Sequence, residues 1–427
     1  MKPPELWQRL GEVAALFLKI GSTGFGGPAA LIAFTEQEVV ECRKWLSREY
    51  FLDIVGVTNL IPGPNATEIA IHVGYLRAGW PGLVVAGTCF ILPAALITAA
   101  FAWAYVHYGA LPQVVPFLYG IKPAVLAVIF AALWRLGRAA VKTWRLIVVG
   151  LAVALALLLG TNEIVALLGG GVLGMLWLRL SDPDGPLIGG RKPATLACTA
   201  VCLIAASIRA WWQAFQPAWW QAFQPAFTGW KARAIALIQA LEPAAIAGLS
   251  TGVPLWQLGL FFLKVGSVLY GSGYVLVAFL EGGLVRDYGW LTQQQLLDAI
   301  AIGQFTPGPV LSTATFIGYL LAGGAGAAVA TVAVFLPSFI FVAMLQPLMP
   351  HLRRSPWPAA FLDAVSVSSV ALMAAVVVRL TWATLTGWPS WLIALAAAVV
   401  SLRWKVNTTW LVLGGAILGW LLAPWAR

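Results

Sequence analysis

The chain has 427 residues, of which 60% are hydrophobic and 10% charged, with a mean hydropathy of +0.86 and a net charge of +10. A soluble domain carries about 25% charged residues, so this composition excludes one and reads as a polytopic membrane protein. The Lys and Arg residues sit in short loops between apolar runs, which points to the positive-inside bias of membrane proteins and away from nucleic acid.

At the N-terminus Lys2 and Arg9 precede an apolar stretch, but Glu12 and Lys19 interrupt it and no small-residue cleavage site follows. The expectation is a segment that is retained and not removed as a signal. Next comes FLKIGSTGFGGPAALIAFTEQEVV and, after a loop, LDIVGVTNLIPGP, over residues 17–64. Residues 262–309 repeat it: FLKVGSVLYGSGYVLVAFLEGGLV, then LDAIAIGQFTPGP. At an offset of 245, 18 of 48 aligned positions are identical, among them Lys19 and Lys264, Gly26 and Gly271, Glu36 and Glu281, and Asp53 and Asp298. Pro62-Gly63-Pro64 falls on Pro307-Gly308-Pro309. A duplicated pair of interrupted apolar segments is the usual sequence pointer to a transport site.

As straight helices, residues 10–41 and 48–77 would run about 48 and 45 Å, too long for a hydrocarbon core of about 30 Å. Each is cut near its centre, at Gly24–Pro28 and at Pro62–Pro64. Tilted broken spans and re-entrant hairpins both fit. Arg43, Lys44 and Arg48 in one connecting loop, against Arg286 alone in its partner, favour hairpins from opposite faces.

Pro64 suits the first turn of a new helix, Gly63 can cap it, and the N–H groups of Asn65, Ala66 and Thr67 are expected to be free. With the helix dipole they would make an anion site without formal charge. Pro309 offers the same before Val310, Leu311 and Ser312, and Gly26-Gly27-Pro28 and Gly271-Ser272-Gly273 begin two further helices. Side-chain donors within range by sequence are Asn65, Thr67, Ser22, Ser267, Thr306, Ser312 and Thr313. The plainer reading is that Pro-Gly-Pro only kinks the spans.

Lys19 and Lys264 precede their breaks by a turn or two, and either snorkel or form a cationic wall. Lys122, beside Pro123 in mid-span, either faces the anion path or pairs with a carboxylate such as Asp363 or Asp53. Glu68, one turn after the first Pro-Gly-Pro, is the candidate for a coupling proton, with Thr313 as its counterpart. Asp53 and Asp298 open helices and read as caps or dipole partners. Glu68 and His72 share a face but lack a third ligand; with three histidines in all, no metal and no cofactor is expected. Cys42, Cys89, Cys198 and Cys202 form no CxxC motif and read as small apolar filler.

Further spans are expected at 80–104, 112–134, 144–160, 162–180, 324–349, 359–380, 388–402 and 408–424, with another at 195–215. Equivalent loops alternate in charge: Arg135, Arg138, Lys142 and Arg145 against Arg379 alone, and Arg353, Arg354, Arg403 and Lys405 against none. Two inverted-topology repeats follow, 1–193 and 254–427, joined by a transmembrane helix and interfacial linker at 194–253. The tandem WWQAFQPA at 211–226 reads as a tolerated insert at the headgroup level.

GSTGFGGPAALIAFTEQEVV at 21–40, NLIPGPNATEIAIHVGYLRAG at 59–79 and GQFTPGPVLSTATFIGYLLAG at 303–323 resemble the chromate ion transporter family, in its long two-domain branch. The resemblance implies an inner-membrane, multi-pass secondary carrier that exports chromate, with sulfate as the look-alike anion. It also implies that Gly26, Gly27, Pro28, Pro62, Gly63, Pro64, Asn65, Pro307, Gly308 and Pro309 are the motif positions. Gly271-Ser272-Gly273 departs from the full GGP motif, so the two half-sites are not equivalent. Proton and counter-anion coupling, a homodimer, a sulfate uptake carrier and a channel stay open. A lipid-phosphate enzyme would need a nucleophile, base or metal set that the sequence does not present.

Overall fold

Helices stop where proline and glycine leave them no way to continue, and here those stops set the architecture. The computed structural model describes residues 3–25, 27–109, 111, 115–180, 253–270, 273–352, 356–385, 387–404, 406 and 408–422. The expected span at 195–215, the octamer duplication, Gly26 and Gly271 lie outside the described residues. Among the described residues there are fourteen α-helices and no strand. Of the described helices, five are long and apolar enough to cross a membrane. The protein is an all-α polytopic membrane protein.

In the first half, α1 (Pro3–Thr23) ends at the first break, and α2 (Pro28–Glu36) runs on into a π-helical turn, Gln37–Cys42. α3 (Arg48–Thr58) leads to the second break, and α4 (Asn65–Tyr108) follows. The order recurs with α8 (Leu255–Val268), α9 (Leu276–Leu280) with its own π-helical turn Glu281–Asp287, α10 (Gln293–Phe305) and α11 (Thr313–Leu352). Each half then adds three helices: α5 (Val115–Ala140), α6 (Trp144–Leu158) and α7 (Glu163–Leu180), and α12 (Pro356–Thr384), α13 (Trp388–Trp404) and α14 (Thr408–Leu422).

A straight 44-residue α4 would be about 66 Å long. It is instead folded on itself at Ala78 and Gly79, where φ of Gly79 is 66°. α11 folds at Ala322 and Gly323 with nearly the same angles, φ 62° at Gly323. Only glycine takes this left-handed corner cheaply. The reversal is direct: Gly74 packs on Gly82 and Gly318 on Gly326, and Thr315 and Thr331 share a 2.7 Å hydrogen bond although sixteen residues apart. Each helix is therefore a short arm running away from the Pro-Gly-Pro break and a long arm returning past it.

The segments 10–41 and 48–77 are hairpins with their tips at the breaks. Lys19 of α1 meets Glu38 beyond α2 at 2.6 Å. Arg77, at the far end of the α4 short arm, lies over the Trp45 ring just before α3, while Asn59 and Asn65 meet across the break itself. Helix starts on the loop side are capped by Ser47, and by Thr292 in a capping box with Gln295, each worth about 1 kcal/mol. Asp53 and Asp298 lie in the sixth position of α3 and α10, so the capping role expected of them falls to these hydroxyls.

Helix association in lipid rests on close packing of small residues, not on the hydrophobic effect. Gly120 of α5 abuts Gly415 and Gly419 of α14, and Gly170, Gly171 and Gly174 of α7 meet Ser368, Val365 and Ala364 of α12. α5 and α12, which hold equivalent places in the two halves, run antiparallel. Lys142 just beyond α5 reaches Asp363 near the start of α12 at 2.7 Å, and Gly137 faces Val370.

Candidate functional site

The four hairpin tips hold one another. Gly63 donates its N–H to the carbonyl of Leu269 at 2.7 Å, and Gly308 donates to the carbonyl of Gly24 at 2.9 Å. Gly63 and Gly308 are repeat equivalents, and so are Gly24 and Leu269. The same bond is thus made twice, from each half to the other, as in a self-complementary interface. Both donors have φ in the region that favours glycine, 145° and 96°.

Behind each Pro-Gly-Pro a helix starts with its N-terminus at the tip. Of the three amides expected to be free, the third is engaged: Thr67 N–H bonds Pro64 O at 2.8 Å, and Ser312 N–H bonds Pro309 O at 3.0 Å. Asn65 and Ala66, and Val310 and Leu311, have no carbonyl of their own helix to bond. The second start is tighter, a 3-10 turn over Val310–Ser312. It absorbs a one-residue deletion, because Gly74 follows Pro64 by ten residues and Gly318 follows Pro309 by nine. Counted back from these paired glycines, Glu68 stands opposite Ser312 and not Thr313.

The side chains at the tips divide sharply. Ser22, Ser267 and Thr313 return their hydroxyls to carbonyls of their own turns, and Asn65 is tied to Asn59. Thr306 bonds Ile302 O and receives Thr98 at 3.3 Å. By contrast Thr67, Glu68, Ser312 and Ser338 are wholly buried, and none of their side-chain oxygens makes a hydrogen bond. Glu68 and Ser338 both crowd the α-carbon of Gly63, near each other but not aligned to bond. The Gln304 amide nitrogen is likewise buried without a partner. An unmade buried hydrogen bond costs about 1–3 kcal/mol, so each of these groups would gain from a polar partner. Three hydroxyls and an amide can donate to one, and Glu68 donates only when protonated.

The lysines take different places. Lys19 pairs with Glu38 and is half exposed, and Lys264 is exposed. Lys122 reaches neither Asp53 nor Asp363. It lies 3.6 Å from Asp298, which also accepts a 2.8 Å hydrogen bond from Tyr105. Gly27 caps α2 with φ 82° ahead of Pro28, and Pro62 and Pro307 precede the two crossing amides.

Gln304 and Ser338 were not evident as site residues in the sequence. Gln304 matches Asn59, each three residues before its Pro-Gly-Pro, and Leu336-Pro337-Ser338 repeats Leu92-Pro93-Ala94. That second repeat, a proline inside an apolar span, is a signal in the sequence by which Ser338 could have been found.

The family model described as chromate transporter matches residues 11–175 and again 256–420, one match in each half. The chain belongs to the chromate transporter family. It is 32% identical over 400 residues to a probable chromate transport protein of Synechococcus elongatus, covering 93% of this chain and 91% of that one. Over 418 residues it is 31% identical to the chromate transport protein of Cupriavidus metallidurans, covering 97% and 94%. The chromate transport protein of Pseudomonas aeruginosa is 28% identical over 421 residues, covering 97% and 92%. No solved structure matches the chain. The two regions matched by the chromate transporter model are the halves whose tips exchange hydrogen bonds.

Proposed function

We propose that this member of the family is a secondary carrier that exports chromate across the inner membrane, taking sulfate as a weaker look-alike. The observation that carries the proposal is the reciprocal pair Gly63 to Leu269 and Gly308 to Gly24, which gathers four half-helix ends at one place. There a tetrahedral oxyanion sheds water onto the first-turn amides of Asn65, Ala66, Val310 and Leu311 and onto Thr67, Ser312, Ser338 and Gln304.

The two halves are inverted repeats in this reading. Antiparallel α5 and α12 support it, and so does the alternation of loop charge. Followed along the chain, Arg43, Arg77, Lys142 and Arg179 come to one end of the bundle, while Glu163 and Arg286 pair at the other. The basic end is the cytoplasmic one. Rocking of one repeat against the other switches access, and Glu68 carries a coupling proton. Lys19, Lys122 and Lys264 act at longer range, concentrating anions along the path.

Inverted vesicles with imposed pH gradients test this. Labelled chromate should accumulate, and excess sulfate should reduce the uptake. Sulfate accumulation undiminished by chromate would turn the proposal into a sulfate carrier, and no flux of either anion would end it.

A further inference from the structure

Between α5 and α12 lies a cavity of about 160 Å³, lined by Leu136, Lys142, Val275, Ser366, Ser369 and Val370 among others. This is room for several waters, at about 30 Å³ each. Lys142 stands at its basic end, and Ser369 donates to the carbonyl of Tyr270 at a hairpin tip. The cavity thus runs from the basic face toward the gathered tips. Across the pseudo-two-fold relation, Phe117 matches Phe361 and Arg135 matches Arg379, which puts Lys122 where Ser366 is, Leu126 where Val370 is and Leu380 where Leu136 is. Leu136, Ser366 and Val370 are partly open, whereas Leu126 and Leu380 are buried, at 3% and 0% exposure. In place of a serine the mirrored position sends Lys122 across to Asp298 of the other half, and Tyr105 of the α4 long arm joins them.

We infer that Lys122, Asp298 and Tyr105 form a latch that shuts the path from the hairpin tips to the face opposite the basic one, and that this structure is the state open to the basic face. The inference rests on the carrier reading above and names the contact that its cycle must break. Among the described residues, the charged or titratable groups acting on Asp298 are Lys122 from α5 and Tyr105 from α4. Both bridge to it from the other half, so the halves cannot part on that side while the contacts hold. Asp298 Oδ1 is buried without a hydrogen bond, so the closed latch is incompletely satisfied and suited to release. At the mirrored position Ser366 offers no charge, and the pair that spans the halves on the basic side, Lys142 with Asp363, is the more exposed of the two, at 54% and 15% against 17% and 3%.

Thiol labelling with a membrane-impermeant maleimide tests the latch in right-side-out and inverted vesicles, on a chain whose four cysteines are replaced by alanine. Val370→Cys should react from the basic face, and Leu126→Cys should be nearly silent from the other. Adding Asp298→Asn or Lys122→Gln should raise Leu126→Cys labelling by about tenfold or more from that other face and lower that of Val370→Cys, since removing one partner of a buried pair strands the other. The exchange of Lys122→Asp with Asp298→Lys should restore the original pattern. Unchanged labelling of Leu126→Cys in both single variants would overturn the latch, and so would a rise from both faces alike, which signals loosening of the fold. Labelling needs no substrate, so a latch that holds in a chain unable to move chromate separates this inference from the carrier reading.

Discussion

Gly308 and Gly24 belong to opposite halves of the chain, yet the amide of one lies 2.9 Å from the carbonyl of the other. A methyl group on Gly308 would come within 2.9 Å of the Ala94 side chain and 3.0 Å of Gly21 O, at a φ of 96°. Gly308→Ala should therefore destabilise the protein by about 1–3 kcal/mol from backbone strain, with crowding added. A lower midpoint in thermal unfolding of the detergent-solubilised protein, together with reduced chromate flux, is the expected result. A wild-type midpoint would mean that the crossing of the tips does not hold the halves together.

The folded-back corners of α4 and α11 are a cleaner test of backbone alone. Nothing lies within 4 Å of a methyl placed on Gly79 or Gly323, so substitution meets strain and no clash. Gly79→Ala and Gly323→Ala should each cost about 1–2 kcal/mol and lower the unfolding midpoint while leaving substrate affinity alone. Equal stability of both variants would show that these corners relax freely.

Thr67 and Ser312, like Ser338, are wholly buried at the tips with unbonded hydroxyls. A hydrogen bond to a charged guest is worth about 1.5–3 kcal/mol, so Thr67→Val and Ser312→Ala should each weaken chromate binding by about tenfold or more. Since these hydroxyls make no internal bond, stability should hold or improve. Titration of the purified protein with chromate decides it, and affinities unchanged in both variants would move the anion elsewhere.

Glu68 is the acidic group at the tips, set against Gly63 and Ser338. Glu68→Gln keeps its size and leaves it permanently neutral. Chromate flux in that variant should persist down the anion's own gradient but lose its response to an imposed pH gradient. If the response survives in full, the coupling proton travels by another group.

Residue order alone determined much of this protein. Its composition required a membrane, its apolar runs located the spans, and the recurrence of Pro-Gly-Pro after FLK-x-G-S marked the breaks. Those features are local: a proline lacks an amide and a run of leucines avoids water whatever surrounds them. Only the tertiary structure decided who meets whom. That Lys122 pairs with Asp298, that Ser338 and Gln304 stand at the tips while Lys19 is held by Glu38, and that Asn65 is tied to Asn59 depend on distant segments being brought together. Even the length of the second helix start was settled there, where a 3-10 turn absorbed a missing residue so that Gly318 could still reach Gly326. Such choices turn on close packing between segments hundreds of residues apart, which no short-range pattern encodes.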